Sequence, residues 1–343
     1  MRPLTITTPK PMLPAAGVPF LTHQLSRARV AGVEHVVLST SYRAEVFEKY
    51  FGDGTALGLE LEYVTEVEPL GTGGGIRNVA DRLREDEVLV FNGDVLSGVD
   101  LAALLAAHRG SGADVSLHLT RVRDPRAFGL VPTDADGRVT AFLEKPTTPA
   151  EIGTDQVNAG CYVFSRSAVE RIPAGRPVSV ERETFPGLLA EGARITGYVD
   201  STYWLDLGTP AAFVTGSCDL VTGLAPSPAV PGPRGPALVL SGAEVAADAV
   251  LSGGTTVGAD GHVDAGAVVE ASVLFDGASV GAGAVLRRSV LGRGARVGAE
   301  TVLDGVVVGD GAEVGAGNEL LTGVRVWPEV RIPDRAVRFS SDR

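Results

Sequence analysis

Two lysines are the first candidates for ligand chemistry, because this chain carries its positive charge almost entirely on arginine. Of 30 cationic residues, only Lys10, Lys49 and Lys145 are lysines. Lys10 and Lys145 each precede a proline. A compact ammonium makes a point contact with phosphate that a planar guanidinium does not reproduce. We therefore interpret these two residues as phosphate contacts rather than as solvated lysines beside turn prolines.

A carboxylate and a glycine-rich turn are the next candidates. Asp94 follows the apolar stretch 87–91 (EVLVF) almost directly, and open α/β sheets bind ligands at the carboxyl ends of their strands. Residues 66–75 (EVEPLGTGGG) form a turn that opens a helix, where backbone amides can read a base edge or face an anion. A structural alternative exists for Asp94, since an aspartate after a strand often caps the next helix.

Length and charge restrict the possible partners. A chain of 343 residues predicts two domains, or one large domain with an appendage. The net charge of −12 argues against nucleic acid, and no basic run favours an anionic membrane surface. No apolar run approaches the ~20 residues of a membrane span, and two cysteines are too few for a disulfide framework. We expect a cytoplasmic protein with neither a nucleic-acid nor a membrane partner.

The elements that would position these residues fall into two halves. From residue 17 to about 222 the sequence alternates helical and strand-like stretches, which predicts a Rossmann-like domain with a mainly parallel, mixed sheet. Residues 223–236 (GLAPSPAVPGPRGP) can continue neither helix nor sheet and read as a linker. The predicted boundaries are therefore a first domain at 1–222, the linker at 223–236, a second domain at 237–330 and a tail at 331–343.

The second domain is a repeat. Aliphatic residues recur every six positions from Val239 to Val269 and then every seventeen, as at Leu274, Leu291 and Val308. Hexads of this kind predict a parallel β-helix with three short strands in each coil. Its flat faces and open ends favour a homo-oligomer. An acyltransferase on this scaffold would need a histidine base, and the only histidine after the linker, His262, sits at an outward corner; we reject that function.

Several motifs, in this order, resemble those of one enzyme family. They are MRPLTITTPKPMLP at 1–14, EVEPLGTGGG at 66–75, FNGD at 91–94, FLEKP at 142–146, NAG at 158–160, SVERETFP at 179–186 and WLDLGTP at 204–210. The family is the sugar-1-phosphate nucleotidyltransferases, and the resemblance is greatest to mannose-1-phosphate guanylyltransferase (GDP-mannose pyrophosphorylase). It spans residues 2 to about 330 and implies a nucleotidyltransferase domain followed by a left-handed β-helix.

The resemblance implies a chemistry and a role for each motif. A sugar-1-phosphate oxygen would attack the α-phosphorus of a nucleoside triphosphate and expel pyrophosphate, with Mg²⁺ held by Asp94 and Asp206. The implied catalytic residues are Lys10, Asp94, Lys145 and Asp206. The implied nucleotide contacts are Lys10, Glu68, Leu70, Gly71, Thr72, Gly73 and Gly93. The implied contacts to the sugar phosphate are Gly129, Glu144, Lys145, Asn158 and Glu181.

The chain departs from the family pattern at its beginning, and this keeps alternatives open. The family's first strand and its G-x-G-T-R loop, which wraps the triphosphate, would precede Met1. Either the start is assigned too late or the chain is a true truncation, and we expect the chain as written to bind nucleotide poorly. The alternative functions are a glucose-1-phosphate nucleotidyltransferase that uses dTTP or UTP, and a non-catalytic regulatory homologue that binds sugar nucleotide.

Overall fold

The computed structural model describes residues 1–40, 43–143, 152–230, 232 and 234–338. These residues form two compact units, one made of Met1–Arg27 with Leu205–Arg343 and the other of Ala28–Trp204. The domain boundaries given above stay predictions. The grouping of the amino-terminal residues with the carboxyl-terminal unit has a cause in the packing of that unit, described below.

The amino-terminal segment is built from short elements. Pro9 and the prolines around it favour tight turns over regular helix, and the chain forms two 3₁₀ turns before its first hairpin. The elements are the turns Leu4–Ile6 and Lys10–Met12, strands β1 (Pro14–Ala15) and β2 (Val18–Pro19), and helix α1 (Phe20–Val30).

The next part of the chain alternates strands and helices, as its hydrophobic pattern predicts. Short 3₁₀ turns occur at Thr55–Leu57, Ala80–Arg82 and Pro125–Ala127, and a π-helical turn at Val180–Thr184. The regular elements are β3 (His35–Thr40), α2 (Ala44–Phe51), β4 (Glu60–Thr65), α3 (Gly71–Asn78), β5 (Glu87–Phe91), β6 (Val95–Ser97), α4 (Leu101–Ser111), β7 (Val115–Arg121), β8 (Gln156–Ser165), α5 (Arg166–Glu170), α6 (Phe185–Ala190), β9 (Ile195–Asp200) and β10 (Trp204–Asp206).

The sheet of the Ala28–Trp204 unit is mixed, which confirms that prediction, but its antiparallel share is larger than the sequence suggested. Strands run in the order β5–β8–β7–β9, and β8 is antiparallel to both of its neighbours. The pairs β7–β9 and β3–β4 are parallel. A parallel neighbour needs a long crossover, usually a helix. The only helical element in the described part of the connection from β7 to β8 is the 3₁₀ turn Pro125–Ala127, and β8 pairs antiparallel with β7.

After helix α7 (Pro210–Thr222) the chain forms short strands in three parallel sheets. The first sheet contains β11 (Ala237–Val239), β14 (Thr255–Val257), β17 (Val273–Leu274), β20 (Val290–Leu291), β23 (Val307–Val308) and β26 (Arg325–Val326). The second contains β12 (Glu244–Val245), β15 (His262–Val263), β18 (Ser279–Val280), β21 (Arg296–Val297), β24 (Glu313–Val314) and β27 (Arg331–Ile332). The third contains β13 (Val250–Ser252), β16 (Val268–Glu270), β19 (Val285–Arg287), β22 (Val302–Asp304) and β25 (Glu319–Leu320).

These sheets form a parallel β-solenoid of about five turns, consistent with the predicted left-handed β-helix. The aliphatic residues of the hexads stack in register inside it, as Leu274 does on Leu291 and Leu291 on Val308. All three are 0–1% exposed. The ladder extends two residues beyond the predicted end at 330, because Arg331–Ile332 pairs with Glu313–Val314.

One outer face of the solenoid is also covered. Val273, Val290 and Val307 alternate with the interior residues of the first sheet and therefore point outward, yet they are at most 3% exposed. Helix α7 packs on this sheet, with the rings of Phe213 and Phe275 6.3 Å apart. The amino-terminal segment adds hydrogen bonds to neighbouring corners, from Thr7 Oγ1 to an Asp310 carboxylate oxygen at 2.8 Å and from Arg293 Nη1 to Thr8 Oγ1 at 3.2 Å. This packing explains why Met1–Arg27 groups with the solenoid.

A buried histidine fastens the amino-terminal segment to the linker. His23 on α1 is fully buried, with its Nε2 3.0 Å from the Ala15 carbonyl and its Nδ1 2.7 Å from Ser227 Oγ. A neutral ring satisfies both partners, donating to the carbonyl and accepting from the hydroxyl. Burial lowers the pKa of His23 from 6.5 to about 4, with a smaller contribution from the charge of Arg234.

No helix among the described residues combines the length and apolar character needed to cross a membrane.

We predict that Leu286→Ala lowers the free energy of unfolding by about 2–5 kcal/mol. Leu286 is fully buried between Val269 and Leu303 of neighbouring coils, so the shortened side chain leaves a cavity. Leu224→Ala is the matched control, since Leu224 is 70% exposed and its loss should change stability by less than about 0.5 kcal/mol. Guanidinium denaturation measures both, and equal effects would contradict the buried column.

We also predict that His23 makes the free energy of unfolding decrease as the pH is lowered. Between pH 6.5 and about 4 the unfolded chain binds a proton at this position that the folded chain does not, so stability is full above that window. It should fall by about 1.4 kcal/mol for each pH unit as the pH drops through this window, and His23 should cause no further loss below it. Denaturation curves from pH 7.5 to 4.5 should show that His23→Gln, which cannot be protonated, has a correspondingly shallower pH dependence. Parallel curves for the two proteins would refute this assignment.

Candidate active site

The turn that carries Asp94 is fixed to strand β8 by the backbone. Phe91, the last residue of β5, pairs with Cys161 of β8, and the Asn92 amide donates to the Gly160 carbonyl at 2.8 Å. Asp94 is half-buried in the turn between β5 and β6. Gly93 lies in the same turn. The backbone around these two predicted site residues is thus held by Asn92.

The NAG motif at 158–160 is hydrogen-bonded on all sides. The Asn158 amide N donates to the Gly129 carbonyl at 3.3 Å, and its side-chain oxygen accepts from the Gly160 amide at 3.1 Å. Its side-chain nitrogen donates to the Tyr162 hydroxyl at 2.8 Å. The Trp204 indole donates to the Ala159 carbonyl at 3.0 Å. The predicted sugar contacts Gly129 and Asn158 therefore lie next to each other and next to the Asp94 turn.

The glycine-rich segment forms the first turn of α3 and packs on another part of the backbone. The Gly73 amide donates to the Val178 carbonyl at 2.9 Å, and the Val178 amide donates back to Leu70 at 2.8 Å. Gly71 has a φ of +67°, and a Cβ there would lie 2.8 Å from the Val178 carbonyl oxygen. Only glycine meets both conditions without strain.

Two glutamates and a threonine complete this segment. Glu66 caps it, accepting from the Leu70 amide at 3.0 Å and from Ser39 Oγ at 2.9 Å. Glu68, a predicted nucleotide contact, is exposed, as is Thr72. Thr72 Oγ1 lies 3.5 Å from a Glu181 carboxylate oxygen, so the predicted nucleotide and sugar segments meet at this pair.

The segment around Glu181 combines a capping role with a site role. Ser179 Oγ accepts from the Arg182 amide at 3.2 Å and so caps the π-helical turn. Glu183 is engaged in the same local structure, with Arg176 2.8 Å away. Glu181 differs, because its half-buried carboxylate accepts from Ser179 Oγ at 3.1 Å and faces Thr72.

Neither candidate metal ligand is a helix cap. Helix α4 is capped by Asp100, whose carboxylate accepts from the Ala103 amide, and helix α7 by Thr209. The capping alternative for Asp94 is therefore wrong, and Asp206 does not cap the helix that follows it either. Asp206 ends β10 and is half-buried. The space before it is open because of Gly208, where a Cβ would come within 3.0 Å of the Asp206 Oδ1.

Carboxylate oxygens are the donors that Mg²⁺ prefers, so the side-chain chemistry of Asp94 and Asp206 fits the metal, and glycine at 208 keeps a Cβ away from the Asp206 carboxylate. Asp94 belongs to the Ala28–Trp204 unit and Asp206 to the other unit. A joint metal site therefore stays a prediction.

Of the two predicted phosphate-binding lysines, the structure describes only Lys10. Lys10 begins the second 3₁₀ turn and is half-buried, and Met12 and Leu13 beside it are buried. Glu144 and Lys145 lie outside the described residues. The residue before them, Leu143, exchanges backbone hydrogen bonds with Leu130 at 2.8 and 2.9 Å.

An aromatic cluster lies beneath three of the motifs. The rings of Phe142 and Phe185 stack at 5.2 Å, and Tyr162 meets Phe185 edge-on at 5.1 Å. Phe142 begins FLEKP, Tyr162 follows NAG and Phe185 ends the segment of Glu181. The core of the unit thus holds these motifs together, since ring pairs at this spacing are stabilising.

Three residues that shape the site were not predicted as site residues from the sequence. Asn92, Tyr162 and Trp204 hold the backbone of the Asp94 turn and the NAG motif, as described above. Asn92 and Trp204 each lie two residues before a predicted metal ligand, which is a signal that could have drawn attention to them. Tyr162 has no such signal, because the strand periodicity assigns it only to the core.

A second group of possible ligands is already neutralised. His35, Glu60 and Glu62 place one ligand atom each within 4.8 Å of one another. Arg84, however, contacts both carboxylates, at 2.7 Å for Glu60 and 3.2 Å for Glu62. Its hydrogen bond to Glu60 holds the pKa of that carboxyl below its usual value. The charge that would attract a cation is thus occupied by the guanidinium.

Comparison with known families agrees with this geometry. Residues 1–223 match the family described as Nucleotidyl transferase, and residues 234–338 match the GMPPB C-terminal domain. The chain belongs to the nucleotidyl transferase family and is an enzyme of that class.

Individual relatives refine the comparison. The chain is 63% identical over all of its 343 residues, and 95% of the relative's length, to a mannose-1-phosphate guanylyltransferase of Mycobacterium tuberculosis. It is 38% identical to a mannose-1-phosphate guanylyltransferase catalytic subunit beta of Drosophila pseudoobscura pseudoobscura, over 64% of this chain and 58% of that protein. Among solved structures, HddC from Yersinia pseudotuberculosis matches with a TM-score of 0.54 and 26% identity, covering 61% of this chain and 88% of HddC. HddC has also been solved complexed with GMP-PN.

We predict that Gly71→Ala weakens nucleotide binding. The new Cβ would meet the Val178 carbonyl, and a positive φ is strained for alanine, so the glycine-rich turn must shift. We expect KM for the nucleoside triphosphate to rise about tenfold, equivalent to about 1.4 kcal/mol, with a smaller change in kcat. Gly110→Ala on α4 is the matched control, because nothing lies within 4 Å of its Cβ position. Steady-state kinetics measure both, and an unchanged KM in Gly71→Ala would exclude a role for this turn.

Proposed function

We propose that this enzyme transfers the guanylyl group of GTP to mannose-1-phosphate, giving GDP-mannose and pyrophosphate, with Mg²⁺ as cofactor. The observation that carries the proposal is the 63% identity, over the full chain, to a protein named mannose-1-phosphate guanylyltransferase. The GMP-PN bound to HddC supports the choice of guanine nucleotide.

The geometry of the Ala28–Trp204 unit supports a two-substrate reaction. The glycine-rich turn at 70–73 has the rigid backbone that we propose for nucleotide binding, and Gly129 and Asn158, our proposed sugar contacts, lie next to each other. Thr72 and Glu181 meet where these two parts of the site adjoin. Holding both reactants in line removes much of the entropic barrier to phosphoryl transfer.

Charge is the second requirement, since both substrates are anions. Lys10 and Lys145 are the residues that we propose as phosphate contacts, and Asp94 and Asp206 as the carboxylates that would hold Mg²⁺. When bound, the ion would supply charge neutralisation at the phosphate oxygens. The sugar phosphate oxygen then attacks the α-phosphorus, the new P–O bond forms, and the bond to the pyrophosphate leaving group breaks.

The proposal also includes the oligomeric state and the cellular location expected from the sequence. We propose a homo-oligomer formed through the β-helix and a cytoplasmic location, where thiols stay reduced. Both cysteines are buried thiols, and burial raises the pKa of Cys218 to about 12.

Pyrophosphate release with Mg²⁺ tests the function directly. The assay combines each of the four common nucleoside triphosphates with mannose-1-phosphate and with glucose-1-phosphate. We expect turnover with GTP and mannose-1-phosphate. Preference for glucose-1-phosphate with dTTP or UTP would support the alternative enzyme. No turnover with any pair, together with binding of GDP-mannose, would support the regulatory homologue.

We predict that Asp94→Asn and Asp206→Asn each lower kcat by about 100-fold or more, because a lost ligand removes several kcal/mol of transition-state stabilisation. Asp124→Asn is the matched control, since Asp124 is exposed and pairs with Arg126. It should keep wild-type activity. If an aspartate variant retains full kcat and its magnesium dependence, that residue is not a metal ligand.

A further inference from the structure

Tyr162 occupies a position where three candidate site segments meet. Its side chain is fully buried, and its hydroxyl accepts a hydrogen bond from Asn158 Nδ2 at 2.8 Å. The charge of the Glu181 carboxylate acts on this phenol. The hydroxyl therefore contacts the NAG motif, which the hydrogen bond from the Asn92 amide to the Gly160 carbonyl joins to the Asp94 turn.

An irregularity in β8 makes the contact with Asn158 possible. Tyr162 pairs with Leu117 of β7, whereas Asn158 pairs with Leu119. Four residues of β8 thus oppose two residues of β7, and Gly160, with a φ of +73°, lies within the irregular part. In a regular strand four residues span ~13 Å, but the two residues on β7 span only ~7 Å. The bulge brings the two side chains within hydrogen-bonding distance, and bulges are common beside active sites.

The ring of Tyr162 has little freedom to move the hydroxyl elsewhere. It packs edge-on against Phe185 at 5.1 Å and against Phe164 at 6.2 Å. Burial, and then the charge of Glu181, raise the pKa of the Tyr162 phenol. The group therefore stays neutral near pH 7, so it can orient its neighbours but does not exchange protons with solvent or substrate.

We propose that Tyr162 is a positioning residue of the sugar-phosphate site, holding the Asn158 amide and the Asn92 turn in the arrangement that binds the sugar. The inference rests on the function proposed above. An asparagine amide has two N–H donors. One is directed at Tyr162, which leaves the other for a sugar hydroxyl. Asn158 Oδ1 in turn accepts from the Gly160 amide, and the Gly160 carbonyl accepts from the Asn92 amide. Without the phenol, the Asn158 amide loses the partner that fixes its rotation.

Tyr162→Phe tests this proposal, because it removes only the hydroxyl and keeps the buried ring. Tyr63→Phe is the matched control: it removes a hydroxyl that donates to the Gly52 carbonyl at 2.6 Å, in a part of the unit that carries no proposed ligand. The measurements are kcat, both KM values and the pH profile, with calorimetric binding of mannose-1-phosphate and denaturation midpoints for all three proteins.

We expect Tyr162→Phe to raise KM and Kd for mannose-1-phosphate about tenfold and to lower kcat several-fold. The reason is that the Asn158 amide loses the hydrogen bond to the neutral phenol that orients it. KM for the nucleoside triphosphate should stay within about twofold of the wild type. The shape of the pH profile should not change, since the phenol does not titrate. Tyr63→Phe should leave all kinetic constants unchanged, and the denaturation midpoints show how much each variant loses in stability.

The possible results separate the two proposals. An active wild type with wild-type mannose-1-phosphate KM and Kd in Tyr162→Phe overturns the positioning role alone, as does an equal rise in both KM values. An inactive wild type that still binds mannose-1-phosphate overturns the catalytic function, and the ratio of Kd values then decides the role of Tyr162. A wild type that neither turns over nor binds mannose-1-phosphate overturns both.

Discussion

The backbone pairing of β8 with β5 is the constraint on which the site of the Ala28–Trp204 unit depends. It fixes Phe91 opposite Cys161, and the Asn92–Gly160 hydrogen bond continues it past the end of β5. Because a ladder specifies register, a slip of one residue would turn the aligned side chains to the opposite face. The position of Asp94 relative to the NAG motif is thus set by main-chain geometry, and side chains only refine it.

The other unit is organised by a different constraint: one sheet of its β-helix is buried on both faces. The first sheet of the β-helix has aliphatic residues inside and a second column, Val273, Val290 and Val307, outside. Helix α7 and hydrogen bonds from the amino-terminal segment complete that face. The segment that carries Lys10 is therefore supported by the solenoid within the same unit.

Local patterns in the sequence were sufficient where the structure is periodic. The hexads predicted which residues fill the interior of the β-helix, and the order of the motifs predicted the family. The antiparallel direction of β8 and its bulge were not predictable, because they arise from pairing between residues far apart in the chain, such as Leu117 with Tyr162. The covered face did leave a signal. Three consecutive outward positions, Val273, Val290 and Val307, are valine, whereas the second sheet has Ser279, Arg296 and Glu313 at the equivalent places.

The outward valine column restricts how such chains can recombine in evolution. A β-helix borrowed from another protein would coil correctly with charged residues at these three positions, as the exposed faces here show. It would, however, bury charged side chains on a face that is covered in this protein, where a charge without a partner is costly. The first 27 residues and the solenoid belong to one packed unit. We therefore expect substitutions in one to be matched by substitutions in the other, although they are far apart in the chain.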